Sequence, residues 1–257
     1  MQISYDQVGL HEAELRRYFD TFALEQSAVP LGRPVCILLF TNRSGSSLVS
    51  EHLRATNCFT GLGEPLNYKL VRERCDEEGI RHFPDYIRWL VDRMGREGAM
   101  YGLKASFDQA MMLVRAGIVP GFFNDVRWVL IERSDILSQA VSFSIASQTK
   151  KWHSHRGEAQ VEPQYDFAQI RKRVQTLSQA YAAMNSFCAV FDLNPYRINY
   201  EQFAAEPVGG AEALAAYLGY PEARVDESRL KMRKQRNEVN AQFRDRFVEE
   251  FRASMRD

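Results

Sequence analysis

The run VCILLF, Val35–Phe40, is continuously apolar and passes at once into a polar turn, TNRSGSS. A strand with water on one face alternates apolar and polar residues. A continuous apolar run bounded by turn signals reads instead as a strand covered on both faces. Ser46–Ala55 then reads as a helix, with Leu48, Val49, His52 and Leu53 at helical spacing. A buried strand leading straight into a helix is half of a βαβ unit, and the chain repeats the alternation. Further strands are expected at Ala99–Ser106, Val126–Arg133 and Tyr196–Phe203, with helices at Phe83–Glu97, Asp108–Gly117, Ser134–Trp152, Asp166–Phe191 and Asn237–Met255. The segment His153–Asp166 is polar and aperiodic and reads as a loop. The fold class is therefore α/β, a mostly parallel sheet flanked by helices. Residues 1–33 read as a helical N-terminal extension ending at AVPLGRP, and residues 34–257 as one domain with helical additions.

Composition narrows the function classes. The chain has 257 residues, 45% of them hydrophobic, enough for one sizeable core. Lys+Arg and Asp+Glu are both 33, a balance that argues against non-specific nucleic-acid binding, which needs a basic surface. Cys36, Cys58, Cys75 and Cys188 are scattered, without a CxxC pair or zinc-like spacing, a usage that fits a reducing compartment. The start, MQISYDQVGLHEAELRRYFD, has no apolar leader, and no run approaches the ~20 apolar residues of a membrane span. These features together predict a cytoplasmic protein.

Open α/β sheets bind ligands beyond the carboxyl ends of their strands. The turn after Phe40 lies at such an end, and its residues Ser44, Gly45, Ser46 and Ser47 are small enough for backbone N–H groups to approach an anion. The start of the following helix adds unpartnered N–H groups and partial positive charge, and Arg43 adds a full charge. The segment thus reads as a cradle for phosphate or sulfate, and also as an ordinary strand–helix turn with a serine cap. It lacks the GxxxxGK[ST] pattern of a nucleotide kinase. ERSDILSQAVSF repeats the arrangement at the third strand: Arg133, a helix start, then Ser138 and Ser142 on one helix face. Two cradles on neighbouring strand ends fit a nucleotide carrying phosphates at both ends.

NRSGSSLVSEHLRATN, GEP at Gly63–Pro65, GLK at Gly102–Lys104 and SQAVSFSIASQTKKW at Ser138–Trp152 resemble the bacterial trehalose 2-sulfotransferase family, with lipopolysaccharide and nodulation-factor sulfotransferases as kin. NYEQF at Asn199–Phe203 and QRNEV at Gln235–Val239 fit more weakly, and the resemblance runs from about Pro34 to the C-terminus. It implies a P-loop-like fold, a plausible homodimer, and sulfuryl transfer from 3′-phosphoadenosine-5′-phosphosulfate (PAPS) to a sugar hydroxyl, with no metal. Arg43–Ser47 would then hold the 5′-phosphosulfate. Arg133 with Ser138 or Ser142 would hold the 3′-phosphate, and Arg236 would close over the nucleotide or remain a solvated charge.

The acceptor side departs from the family pattern. The trehalose enzymes carry Gly-Glu-Pro-x-Glu-Phe, whose second carboxylate is taken as the base. Here the segment reads GEPLNY, with Asn67 at that place, and Asn42 stands where the trehalose enzymes have Gln. Asn cannot accept a proton at neutral pH, so the acceptor is expected to be a carbohydrate or glycolipid other than trehalose. Glu64 is then the candidate base, or a carboxylate that only hydrogen-bonds the acceptor; Asp108, His153 and His155 are weaker candidates. Asn42, Glu64, Pro65, Asn67 and Lys104 make up the expected acceptor site. Two other functions stay open: a catalytically idle nucleotide-binding module, and a P-loop-type kinase.

Overall fold

The computed structural model describes residues 7–150, 161–231 and 238–255. In chain order it contains α1 (Leu10–Tyr18), β1 (Val35–Leu39), α2 (Ser46–Ala55), β2 (Phe59–Gly63), α3 (Tyr68–Glu78), α4 (Phe83–Met94), β3 (Met100–Ala105) and α5 (Phe107–Arg115). There follow β4 (Val126–Glu132), α6 (Ile136–Thr149), α7 (Phe167–Val190), β5 (Tyr196–Asn199), α8 (Tyr200–Ala205), α9 (Pro207–Tyr217) and α10 (Glu238–Ala253). The five strands form one sheet in the order β2-β3-β1-β4-β5, and every pairing is parallel.

Strand β1 is central and wholly buried. Its side chains still alternate: Val35, Ile37 and Leu39 join one core cluster, and Cys36 and Leu38 join the other. That is why the run shows no polar positions: helices cover both faces of the sheet. From β1 the chain crosses to the edge strand β2, returns to β3, then crosses to β4 on the other side of β1. The direction of winding therefore reverses at β1, and its carboxyl end is the topological switch point of the sheet.

Several sequence expectations need correction. Phe59–Gly63, with two glycines and no clear alternation, is a strand at the sheet edge that the sequence reading leaves out. The expected strand Tyr196–Phe203 stops at Asn199, because the Asn199 side chain accepts a hydrogen bond from the Gln202 N–H and starts α8. Helices α3 and α9 are likewise additional, and α4 ends at Met94 rather than Glu97.

Helix α1 packs into the main core. Leu15, Phe19 and Phe22 share a cluster with β1, β3, α4 and α5. Beside them Glu12, 1% exposed, accepts from Arg115 of α5 and Arg16. Truncating the fully buried Leu15 to Ala is expected to cost about 2–5 kcal/mol. In a domain of this size that lowers the melting temperature by roughly 4–20 °C, read by calorimetry. An unchanged transition would show that α1 lies outside the cooperative unit.

Candidate active site

The turn between β1 and α2 is shaped by its backbone. Arg43 (φ 63) and Gly45 (φ 92) both occupy the left-handed region, which an arginine rarely adopts. Gly45 is the α2 cap residue, and a Cβ there would sit 2.1 Å from the Tyr200 ring carbon Cδ2. Only glycine lets that ring lie against the turn.

The five helices that follow the five strands differ at their starts. Asn67, Ser106, Asp135 and Asn199 each cap their helix with a side chain, whereas α2 has no side-chain cap. Its first N–H groups therefore face the carboxyl edge of the sheet without a built-in acceptor, which is the arrangement that suits an anion. Ser44 is fully buried, and its Oγ has no hydrogen-bond partner among the described residues. An orphaned buried hydroxyl beside an uncapped helix start fits a phosphate or sulfate group supplied from outside.

Two guanidinium groups converge here. Arg43 Nε donates to Ser142 Oγ on α6 at 3.0 Å, and Arg133 Nη1 donates to the Arg43 carbonyl at 3.3 Å. Arg133, at the end of β4, lies 4.5 Å from the Tyr200 ring and reaches Glu201 Oε1 at 3.4 Å. Glu201 Oε2 also accepts from the Ser134 N–H, so this carboxylate is shared with the loop. Burial, reinforced by the like charge of Arg133, pulls the Arg43 pKa below its usual value. An anion between the two arginines would relieve that cost.

Both sequence-derived cradles thus come together, through Arg43–Ser47 and Arg133 with Ser142. Ser138 is placed differently: its Oγ donates to Asp135 Oδ2 at 2.6 Å inside the α6 cap. Arg236, His153 and His155 lie outside the described residues.

On the other side of β1, Glu64 leaves β2 and Lys104 sits at the end of β3. Lys104 Nζ donates to Glu64 Oε1 at 2.8 Å; the lysine side chain is 5% exposed and the glutamate 46%. Pro65 is buried and its carbonyl accepts from Tyr86. Asn67 caps α3, its Oδ1 accepting from the Lys69 N–H at 3.1 Å. Asn42 is exposed at the turn, where its carbonyl is bonded rather than its side chain. Asp108 opens α5, and burial raises its pKa against the pull of Arg115 and His11. His52 is buried within α2 and bonds the Leu48 carbonyl. Among the described residues, no group of three or more His, Cys, Asp or Glu side chains is placed to hold a metal ion.

The sequence reading gives no role to Gln139, Tyr181, Tyr200 or Glu201. Gln139 is fully buried; its Nε2 donates to Thr41 Oγ1 and the Asn42 carbonyl, each at 2.8 Å. Tyr181 of α7 donates to Gln139 Oε1 and accepts from the Arg133 N–H. One buried chain of bonds thereby fixes both cradles. A glutamine amid the apolar residues of SQAVSF was the signal that could have identified it.

A family model described as Stf0 sulphotransferase matches residues 35–250. No curated protein matches the sequence. Among solved structures, a sulfotransferase from Alicyclobacillus acidocaldarius is similar at 16% identity and a TM-score of 0.52, covering 85% of this chain and 92% of its own. The sulfotransferase domain of the Synechococcus PCC 7002 olefin synthase aligns at 12% identity and a TM-score of 0.47, covering 87% of this chain and 98% of its own. The first of these likenesses bears on the fold, an α/β sheet of P-loop-like type.

Gly45→Ala is expected to place a side chain in the Tyr200 ring and strain a left-handed backbone position. If the turn holds a nucleotide phosphate, its displacement should weaken adenosine 3′,5′-bisphosphate binding at least tenfold by titration calorimetry, about 1.4 kcal/mol. Parent-like affinity would show that the turn does not hold the nucleotide.

Proposed function

The chain belongs to the Stf0 sulphotransferase family, and on that basis we propose that it transfers a sulfuryl group from PAPS to a hydroxyl of a carbohydrate or glycolipid acceptor other than trehalose. The observation that carries the reading is the meeting of Arg43, Arg133, the uncapped start of α2 and the orphaned Ser44 hydroxyl at the sheet's switch point. This reading takes residues 34–257 as the sulfotransferase domain and 1–33 as its extension. The four free thiols support a cytoplasmic setting, and among the described residues no helix is long and apolar enough to cross a membrane. The family resemblance also suggests a homodimer.

In the proposed reaction the acceptor oxygen forms a bond to sulfur as the bond from sulfur to the 5′-phosphate oxygen breaks. The products are a sulfate ester and adenosine 3′,5′-bisphosphate. By analogy with phosphoryl transfer, catalysis is mostly positioning and charge stabilisation. Negative charge grows on the leaving phosphate, and Arg43 with the first N–H groups of α2 offsets it. Arg133 and Ser142 receive the 3′-phosphate. Ser138 fits that role less well, because its hydroxyl is committed to Asp135. Glu64 takes the acceptor proton. Lys104 binds Oε1 and fixes the carboxylate, and Oε2 is left to take the acceptor proton.

The role of Asn67 as the α3 cap favours one rival reading, an idle nucleotide-binding module, since the family's second carboxylate is replaced by a helix cap. Glu64→Gln separates the two. It keeps the shape but removes the base, and kcat should fall by about 10²–10⁴ with bisphosphate affinity nearly unchanged. Parental turnover in that variant would remove Glu64 as base, and a parent protein without turnover would favour the idle module.

Arg133→Ala should weaken adenosine 3′,5′-bisphosphate binding roughly 10- to 150-fold, the equivalent of a lost charge-assisted contact. Adenosine 5′-phosphate should bind nearly as well as to the parent. Equal losses for both ligands in calorimetry would make Arg133 a structural residue.

A further inference from the structure

Helix α1 precedes the residues that the family model matches, yet it brings a polar side chain to the acceptor side of the sheet. The N–H of Tyr68, the first residue of α3, donates to His11 Nδ1 at 3.2 Å, and the two rings lie 5.7 Å apart. Two residues earlier, Gly9 packs so closely on α5 that a Cβ there would lie 2.8 Å from Asp108 Cβ. The imidazole therefore stands between the start of α3 and the start of α5, within the fields of the Glu64 and Asp108 carboxylates. It is also firmly held. The next residue is the buried Glu12, bound to Arg115, and Leu15 anchors the following turn in the core.

The bonding fixes the tautomer. Nδ1 accepts a backbone N–H, so it carries no proton, and the neutral ring must hold its proton on Nε2. Burial keeps the ring neutral, holding its pKa below the ordinary histidine value against the opposite pull of Asp108 and Glu64. A neutral ring in this tautomer is a donor and not a base. The environment selects the ligand as well. The N–H groups of Tyr68 and Lys69 are already taken by His11 and Asn67, so neither is left for an anion. A neutral imidazole that presents an N–H donor is suited to a hydroxyl.

We propose that His11 is a positioning residue of the acceptor site, donating from Nε2 to an oxygen of the acceptor so that its reacting hydroxyl is held against Glu64. The extension thus helps to determine which acceptor this chain takes. The inference rests on the sulfotransferase reading given above.

The test follows labelled sulfate from PAPS to the methyl glycosides of glucose, galactose and N-acetylglucosamine, with the full-length protein. His11→Asn keeps an acceptor near Nδ1 for the Tyr68 N–H and removes the Nε2 donor. His11→Gln places an amide donor near Nε2. His11→Asn should raise the glycoside KM tenfold or more, leaving the PAPS KM and the melting temperature at parental values. His11→Gln should recover most of the loss. If His11 only caps α3, His11→Asn will match the parent and His11→Gln will be the damaged variant, which overturns the proposal. A parallel rise in the PAPS KM overturns it too. If the parent labels none of the glycosides, the carbohydrate reading itself fails and takes the role of His11 with it. That result is distinct from an active parent with an indifferent His11→Asn.

Discussion

The buried carboxamide of Gln139 is the joint on which the arrangement of this protein's charges depends. It sits on α6, holds the Thr41–Asn42 turn through its nitrogen, and is held in turn by Tyr181 of α7 through its oxygen. Tyr181 also bonds the Arg133 backbone. Removing one partner from such a network leaves buried polar groups unsatisfied, so the turn, the helix and the end of β4 are positioned together. The left-handed backbone at Arg43 is a strained feature of a kind that persists only where surrounding contacts enforce it.

That joint brings like charges close to one another. Arg43 and Arg133 are both partly buried, and the charge of Arg133 adds to the cost of holding Arg43 there. Glu201 offsets part of this, but it also serves the N–H groups of Ser134 and Asp135. The stacking of Arg133 on Tyr200, and of Tyr200 on Gly45, keeps the guanidinium beside the turn rather than in solvent. An anion bound between the two guanidinium groups would offset that repulsion. Across β1 the logic is opposite: Lys104 and Glu64 neutralise one another and leave no excess charge.

The N-terminal helix closes the second half of the edge. A carboxylate as deeply buried as Glu12 is tolerated because two guanidinium groups satisfy it, and their charge holds its pKa below the ordinary value despite burial. The helix so anchored fills the space between α3 and α5 that the family-matched residues leave to other parts of the chain.

The sequence by itself determined the parallel α/β class. The VCILLF run cannot be satisfied with water on either face, and the helical periods between strands leave room only for crossovers. It also marked Arg43–Ser47 and Arg133 as features of strand ends, because small residues before a helix start have a local physical meaning. Edge strand β2 was not legible, since two glycines and one half-buried face give no period. Nor was the end of β5, where a single capping bond from Asn199 decided between strand and helix. Tertiary structure alone decided that Ser142, rather than Ser138, meets Arg43, that Asn67 is spent on α3, and that His11 meets the start of α3. The physical reason is common to all three. Polar side chains close together on one element are distinguished only by which neighbouring group competes for their hydrogen bonds.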